Sequence, residues 1–148
     1  MLLSLLTLLF TLTSCEKNPE NTPEPTTAEI LIGSWQESSS TLFLYSNAST
    51  KISEEAQPLR KATFNTNGRF DYRYVNEAVL EGSYKLSTSG NKEYIEFKTP
   101  DNEMTFTIEN ITAKTLTVSC ETHNVTYYIN NKPLIAARSI RRMTLDKF

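Results

Sequence analysis

Alternation of apolar and polar side chains, repeated between short turn clusters, constrains this chain more than any other feature, because it demands half-buried strands. Ala78, Leu80, Gly82, Tyr84 and Leu86 share one face of a strand, and Glu77, Glu81, Ser83, Lys85 and Ser87 share the other. Met104, Phe106 and Ile108 alternate with Thr105, Thr107 and Glu109, and Leu116, Val118 and Cys120 alternate with Thr115, Thr117, Ser119 and Glu121. Ala62 and Phe64 lead through Asn67-Gly68, a two-residue hairpin signal, to Phe70, Tyr72 and Tyr74.

Turn clusters separate these runs: Ser87-Thr88-Ser89-Gly90-Asn91, Thr99-Pro100-Asp101-Asn102, Thr122-His123-Asn124 and Asn130-Asn131-Lys132-Pro133. The connections are hairpin-length, so neighbouring strands are expected to be antiparallel. An all-β meander of about 8–10 strands must manage its edges, and closing into an up-and-down barrel removes them. A two-sheet sandwich competes, but it needs longer Greek-key crossovers, which are hard to find after residue 60. The polar interval 46–58, SNASTKISEEAQP, reads as a long loop placed to cap one mouth. From Pro133 onward, Ala137, Ser139, Met143 and Leu145 share one parity with Arg141 interrupting them, and this stretch reads as the closing strand. A short helical turn is expected ahead of the first strand.

The N-terminus follows a different rule. Leu2 to Leu12 is all apolar or small hydroxyl, too short for a bilayer span of about 20 residues and suited to the apolar region of a signal peptide. Leu12-Thr13-Ser14-Cys15, closing that run, resembles the lipobox of bacterial lipoprotein precursors. The resemblance implies that 1–14 is removed as a signal peptide and that Cys15 carries a diacylglyceryl thioether and an acylated amino group, with palmitate-type chains. Several chains hold a protein firmly to a bilayer where one holds it marginally. The expected location is the bacterial cell envelope, at the outer membrane, facing the periplasm or the surface. Met1-Leu2-Leu3-Ser4 lacks the Lys or Arg of a signal peptide, so an upstream start is expected. Behind Cys15, EKNPENTPEPTTA has three prolines, three glutamates and no large apolar side chain, so 15–28 reads as a solvated tether. The folded domain is expected over 29–148.

Charge excludes one broad class of partner. Lys and Arg total 15 against 17 Asp and Glu, a net charge of −2, so no global field favours nucleic acid. With Cys15 acylated, Cys120 is the only other cysteine of the 2, and no internal disulfide is available. Packing must supply the stability.

Ile32-Gly33-Ser34-Trp35-Gln36 resembles the Gly-x-Trp first strand of lipocalins and of lipocalin-like domains in lipoproteins of Bacteroidetes-type bacteria. The likeness continues through Ala62-Thr63-Phe64-Asn65-Thr66-Asn67-Gly68-Arg69-Phe70, Glu81-Gly82-Ser83-Tyr84-Lys85-Leu86 and Ile108-Glu109-Asn110-Ile111-Thr112, within residues 29–130. It implies a small antiparallel barrel and, by analogy of fold alone, a carrier of small apolar ligands. Gly33 would let the chain bend close to the barrel floor, and Trp35 would plug that floor. The resemblance also places an Arg near the last strand across the Trp, with Arg138, Arg141 and Arg142 as candidates.

Candidate chemistry is sparse. His123, Cys120 and Glu121 are near in sequence, but alternation turns Cys120 inward and Glu121 outward, so no metal site is expected. Glu54, Glu55, Glu77 and Glu81 read as solvated carboxylates, and no nucleophile, phosphate-loop or zinc motif occurs. We expect neither catalysis nor a cofactor. Phe64, Phe70, Tyr72, Tyr74, Tyr84, Phe97, Phe106 and Tyr127 are expected to point inward, with Tyr72, Tyr74, Tyr84, Phe106 and Tyr127 as candidate ligand-lining residues. Barrels of this size are either filled by side chains or hold one small ligand. Two functions follow: a tethered barrel binding a small apolar or sugar-like molecule, or a filled barrel acting as an envelope interaction protein through its outer surface and the 46–58 loop. Arg138, Arg141, Arg142 and Lys147 form the one basic cluster, either a solvated face or a contact patch for an anionic partner.

Overall fold

The computed structural model describes residues 23–46, 51–56, 60–74 and 79–148, with 51–56 and Tyr74 described by backbone alone. The elements are α1 (Thr27–Leu31), β1 (Gly33–Tyr45), β2 (Lys51–Ala56), β3 (Arg60–Phe64), β4 (Arg69–Tyr74), β5 (Leu80–Ser89), β6 (Lys92–Lys98), β7 (Glu103–Ile111), β8 (Thr115–Ile129) and β9 (Lys132–Lys147). From β3 to β9 each strand pairs antiparallel with the next, and β9 returns to β1, closing an 8-strand barrel. Short connections between alternating segments produce this closure, as expected. The signal peptide, Cys15 and residues 15–22 of the tether lie outside the described residues.

β1 organises the closure. One of its edges carries β9 from Trp35 to Tyr45. The other carries β3 over Gly33–Gln36 and then β2 over Thr41–Tyr45. The interval 46–58 is therefore not simply a loop, because β2 takes the edge of β1 that β3 has left. Its polar composition conceals a pairing made by backbone groups.

Parity sets the core. Phe64, Phe70, Ile95, Phe106, Leu116 and Val118 are buried together, and Tyr72, Tyr84, Phe97, Ile108 and Cys120 pack against them. Phe97 joins the aromatic group, with ring centroids 4.8 Å from Phe70 and 5.5 Å from Phe106 in edge-on geometry. Gly82 belongs on this face for steric reasons: a Cβ there would lie 2.4 Å from the Lys98 carbonyl oxygen and 2.6 Å from the Phe70 ring.

A short helix closes one end. Thr26 caps α1 reciprocally with Glu29, and its amide and hydroxyl hold the Glu29 carboxyl below the ordinary glutamate range. The Trp35 indole donates to the Leu31 carbonyl at 2.7 Å, and Lys147 Nζ donates to the Ile30 carbonyl at 2.6 Å. These two donors satisfy carbonyls that a helix end leaves open.

Local turn chemistry departs from expectation in two places. The β3–β4 connection is a three-residue loop rather than a two-residue one: Asn65 N–H bonds the Arg69 carbonyl, Gly68 N–H bonds the Asn65 carbonyl, and Gly68 has φ +75°. That is a type I turn followed by a left-handed glycine. Thr122-His123-Asn124 is not a turn, since β8 runs through it with His123 opposite Arg138. Asn124 has φ 55°, a local irregularity that its side chain tolerates without ending the strand.

Candidate functional site

The barrel is not filled. A cavity of about 340 Å³ occupies its interior, with Phe64, Phe70, Ile95, Phe97, Phe106 and Leu116 among its walls. At the end away from α1 it is bounded by Leu80, Thr99, Asn102 and Met104. Leu80 and Met104 are 42% and 40% exposed, so the cavity reaches solvent there. An apolar chamber of this size is within the range that small-molecule sites occupy.

Two guanidinium groups interrupt the apolar lining, those of Arg60 and Arg141. Behind Arg60 sits Glu37, with Oε2 3.9 Å from Arg60 Nε and with side-chain exposures of 1% and 6%. Arg60 also lies 5.8 Å from the centre of the Tyr72 ring, and its Nη1 is 4.0 Å from the Met143 sulfur. Among the described residues no donor reaches hydrogen-bond geometry with either Glu37 oxygen, and the buried Ser40 hydroxyl is also unmatched. Burial therefore pushes the Glu37 carboxyl above the ordinary glutamate range, while nearby Ser40, Arg60 and Arg141 pull it back only in part.

A β-bulge assembles this cluster. The β1–β9 register shifts between Glu37 and Ser39, so Glu37 faces Leu145 whereas Ser40 faces Met143. Leu145 and Met143 both belong to the core, so the extra residue turns Glu37 and Ser40, three positions apart, to the same interior face. The sequence did not single out Glu37, Ser40 or Arg60. The available signal was parity: Glu37 is two residues after Trp35, and Arg60 is two before Ala62.

The expected site residues divide. Tyr72 and Phe106 line the cavity. Tyr84 packs inward but turns to the β3–β4 hairpin, where its hydroxyl donates to the Asn65 carbonyl at 2.9 Å, and burial raises its phenol. It is not a lining residue. Tyr127 is not one either, because β8 and β9 continue as a hairpin past the end of β1 and pair Tyr127 with Leu134 beyond the barrel. The Tyr74 side chain lies outside the described residues.

At the floor, Trp35 is fully buried and Gly33 adopts φ +126°, with Lys147 Cε 2.8 Å from where a Cβ would stand. The cation over the Trp35 ring is Lys147, at 5.1 Å, and none of the three arginines. Strand parity explains the difference. Arg138 and Arg142 face outward, Arg138 over Tyr45 at 4.6 Å and Arg142 paired to Glu109 at 2.7 Å, while Arg141 faces the cavity. The basic cluster seen in the sequence is thus divided among the outer wall, the interior and the floor.

His123 also lies on the outer wall, 3.2 Å from Glu121, away from inward-facing Cys120. Among the described residues no group of three or more His, Cys, Asp or Glu is placed to hold a metal ion. Glu81 is exposed and paired to Arg69 at 3.6 Å, whereas the side chains of Glu54, Glu55 and Glu77 lie outside the described residues.

Fold and site together define a closed antiparallel 8-strand barrel with an apolar chamber, an architecture that fits a lipocalin-like fold. No protein family, curated protein or solved structure matches the chain.

Proposed function

We propose that this protein is a membrane-anchored, lipocalin-like lipoprotein that holds a small, largely apolar ligand in its barrel. The observation that carries the reading is the open apolar chamber of about 340 Å³. Its aromatic walls favour an apolar occupant over a sugar-like one, since few polar groups converge there. Acylated Cys15 would tie the barrel to the bacterial envelope, with the residues from Cys15 to Pro25, ahead of the Thr26 cap of α1, as the spacer. Cavity binding calls for no catalytic residue, metal or cofactor.

A second reading draws on the β8–β9 hairpin. Tyr128, Ile129, Leu134 and Ile135 are exposed near its tip, which suits an envelope protein that meets a partner through its outer surface. Native mass spectrometry of the full chain, purified gently from its own host, separates the two. A retained small molecule beyond the acyl modification supports the carrier. A bare lipidated chain, with a co-purifying protein instead, supports the interaction reading and overturns the carrier.

A further inference from the structure

We infer that the chamber selects an amphiphile with a single carboxylate on an apolar chain or ring system, the carboxylate seated at Arg60 and Arg141. The inference rests on the cavity reading above and adds the charge of the occupant.

Three observations lead there. First, the lining is apolar at depth, where Phe64, Phe70, Ile95 and Leu116 would enclose a tail, while Arg60 and Arg141 are its charged members. Second, Arg141 faces the chamber without a close described counter-charge. Glu37 is the described carboxylate beside Arg60 and is also acted on by Arg141, and among the described residues no acidic group stands within ion-pair distance of Arg141. A cation beside apolar surface is costly to desolvate, and an entering anion offsets that cost. Third, Arg60 is held in place by Glu37 behind it and by Tyr72 beside it, so its guanidinium is ordered before any ligand arrives. Planar guanidinium groups suit the two oxygens of a carboxylate. A cationic head would meet two like charges, and an uncharged head would pair with neither guanidinium.

The test uses dodecanoate, dodecanol and dodecyltrimethylammonium as probes, titrated calorimetrically into the full chain. Dodecanoate is expected to bind at least tenfold more tightly than dodecanol, with the ammonium weakest. In Arg141→Gln the preference for acid over alcohol should collapse to within about threefold, and Arg141→Lys, which keeps the charge, should retain most of it. Thermal midpoints of both variants confirm that they fold. Equal affinities for acid and alcohol in the wild type, or an undiminished preference in folded Arg141→Gln, would overturn the headgroup assignment and leave the cavity reading standing. Binding of none of the three probes would overturn both.

Discussion

Glu37 and Arg60 stand just past Gln36 and Lys61, the last pair of the β1–β3 ladder, and their side chains approach to 3.9 Å inside the barrel. Because burial raises the Glu37 carboxyl, the folded state binds its proton more tightly than the unfolded chain, where the ordinary value is 4.5. The stability tied to neutral Glu37 is complete below that value and is lost as pH rises through the raised one. Glu37→Gln stays uncharged throughout. Its thermal midpoint should match wild type at about pH 4 and exceed it increasingly towards neutrality. A gap that narrows or reverses with rising pH would contradict the role assigned to burial.

Removing the other partner should act in the opposite direction. Arg60→Met strands a buried carboxylate and should cost about 3–5 kcal/mol at neutral pH. The same change in a Glu37→Gln background should cost distinctly less, a coupling that a double-mutant cycle in urea would measure. Additive losses would mean that the two side chains do not interact.

The floor makes a separate demand. Trp35 is fully buried and its indole bonds the Leu31 carbonyl at 2.7 Å, so Trp35→Ala should cost about 3–5 kcal/mol through lost burial and an unfilled cavity. Lys147→Met should cost less, about 1–2 kcal/mol, since it removes one hydrogen bond and one cation–ring contact. Urea midpoints report both, and a larger loss for Lys147→Met than for Trp35→Ala would reverse the assignment.

Gly82 tests the packing of the wall. A methyl group there would meet the Lys98 carbonyl oxygen, which belongs to the β5–β6 ladder and cannot swing aside. Gly82→Ala is therefore expected to destabilise by about 1–3 kcal/mol despite the usual benefit of Ala over Gly in a strand. An unchanged urea midpoint would show that the wall yields at that point.

Period-two patterning made the architecture legible, because each half-buried strand declares its inner face residue by residue. Phe64, Phe70, Phe97 and Phe106 could be placed inward for that reason. Patterning alone hid β2, whose pairing with β1 is made by backbone groups that composition does not report. It also turned His123 into a turn residue, since Thr122-His123-Asn124 has the composition of a loop while pairing with β9 as a strand. The cavity cluster was hidden differently. Charged residues in a strand are read as solvated, so Arg141 looked like an interruption although it keeps the inward parity of Met143. The Glu37–Ser40 arrangement depends on a bulge, which no regular alternation reveals. Lys147 took the place expected of an arginine because only register between β1 and β9 decides which cation reaches Trp35.

The barrel is hollow, and the proposed function requires that a ligand enter this chamber. Methyl NMR of the full chain during titration with dodecanol tests it directly, because Ile95, Leu116 and Val118 line the chamber while Ile129 and Ile135 lie exposed on the β8–β9 hairpin. Saturable shifts at Ile95, Leu116 and Val118, with Ile135 unmoved, are the expected result. Shifts confined to Ile129, Leu134 and Ile135 would contradict it and place any binding on the outer surface.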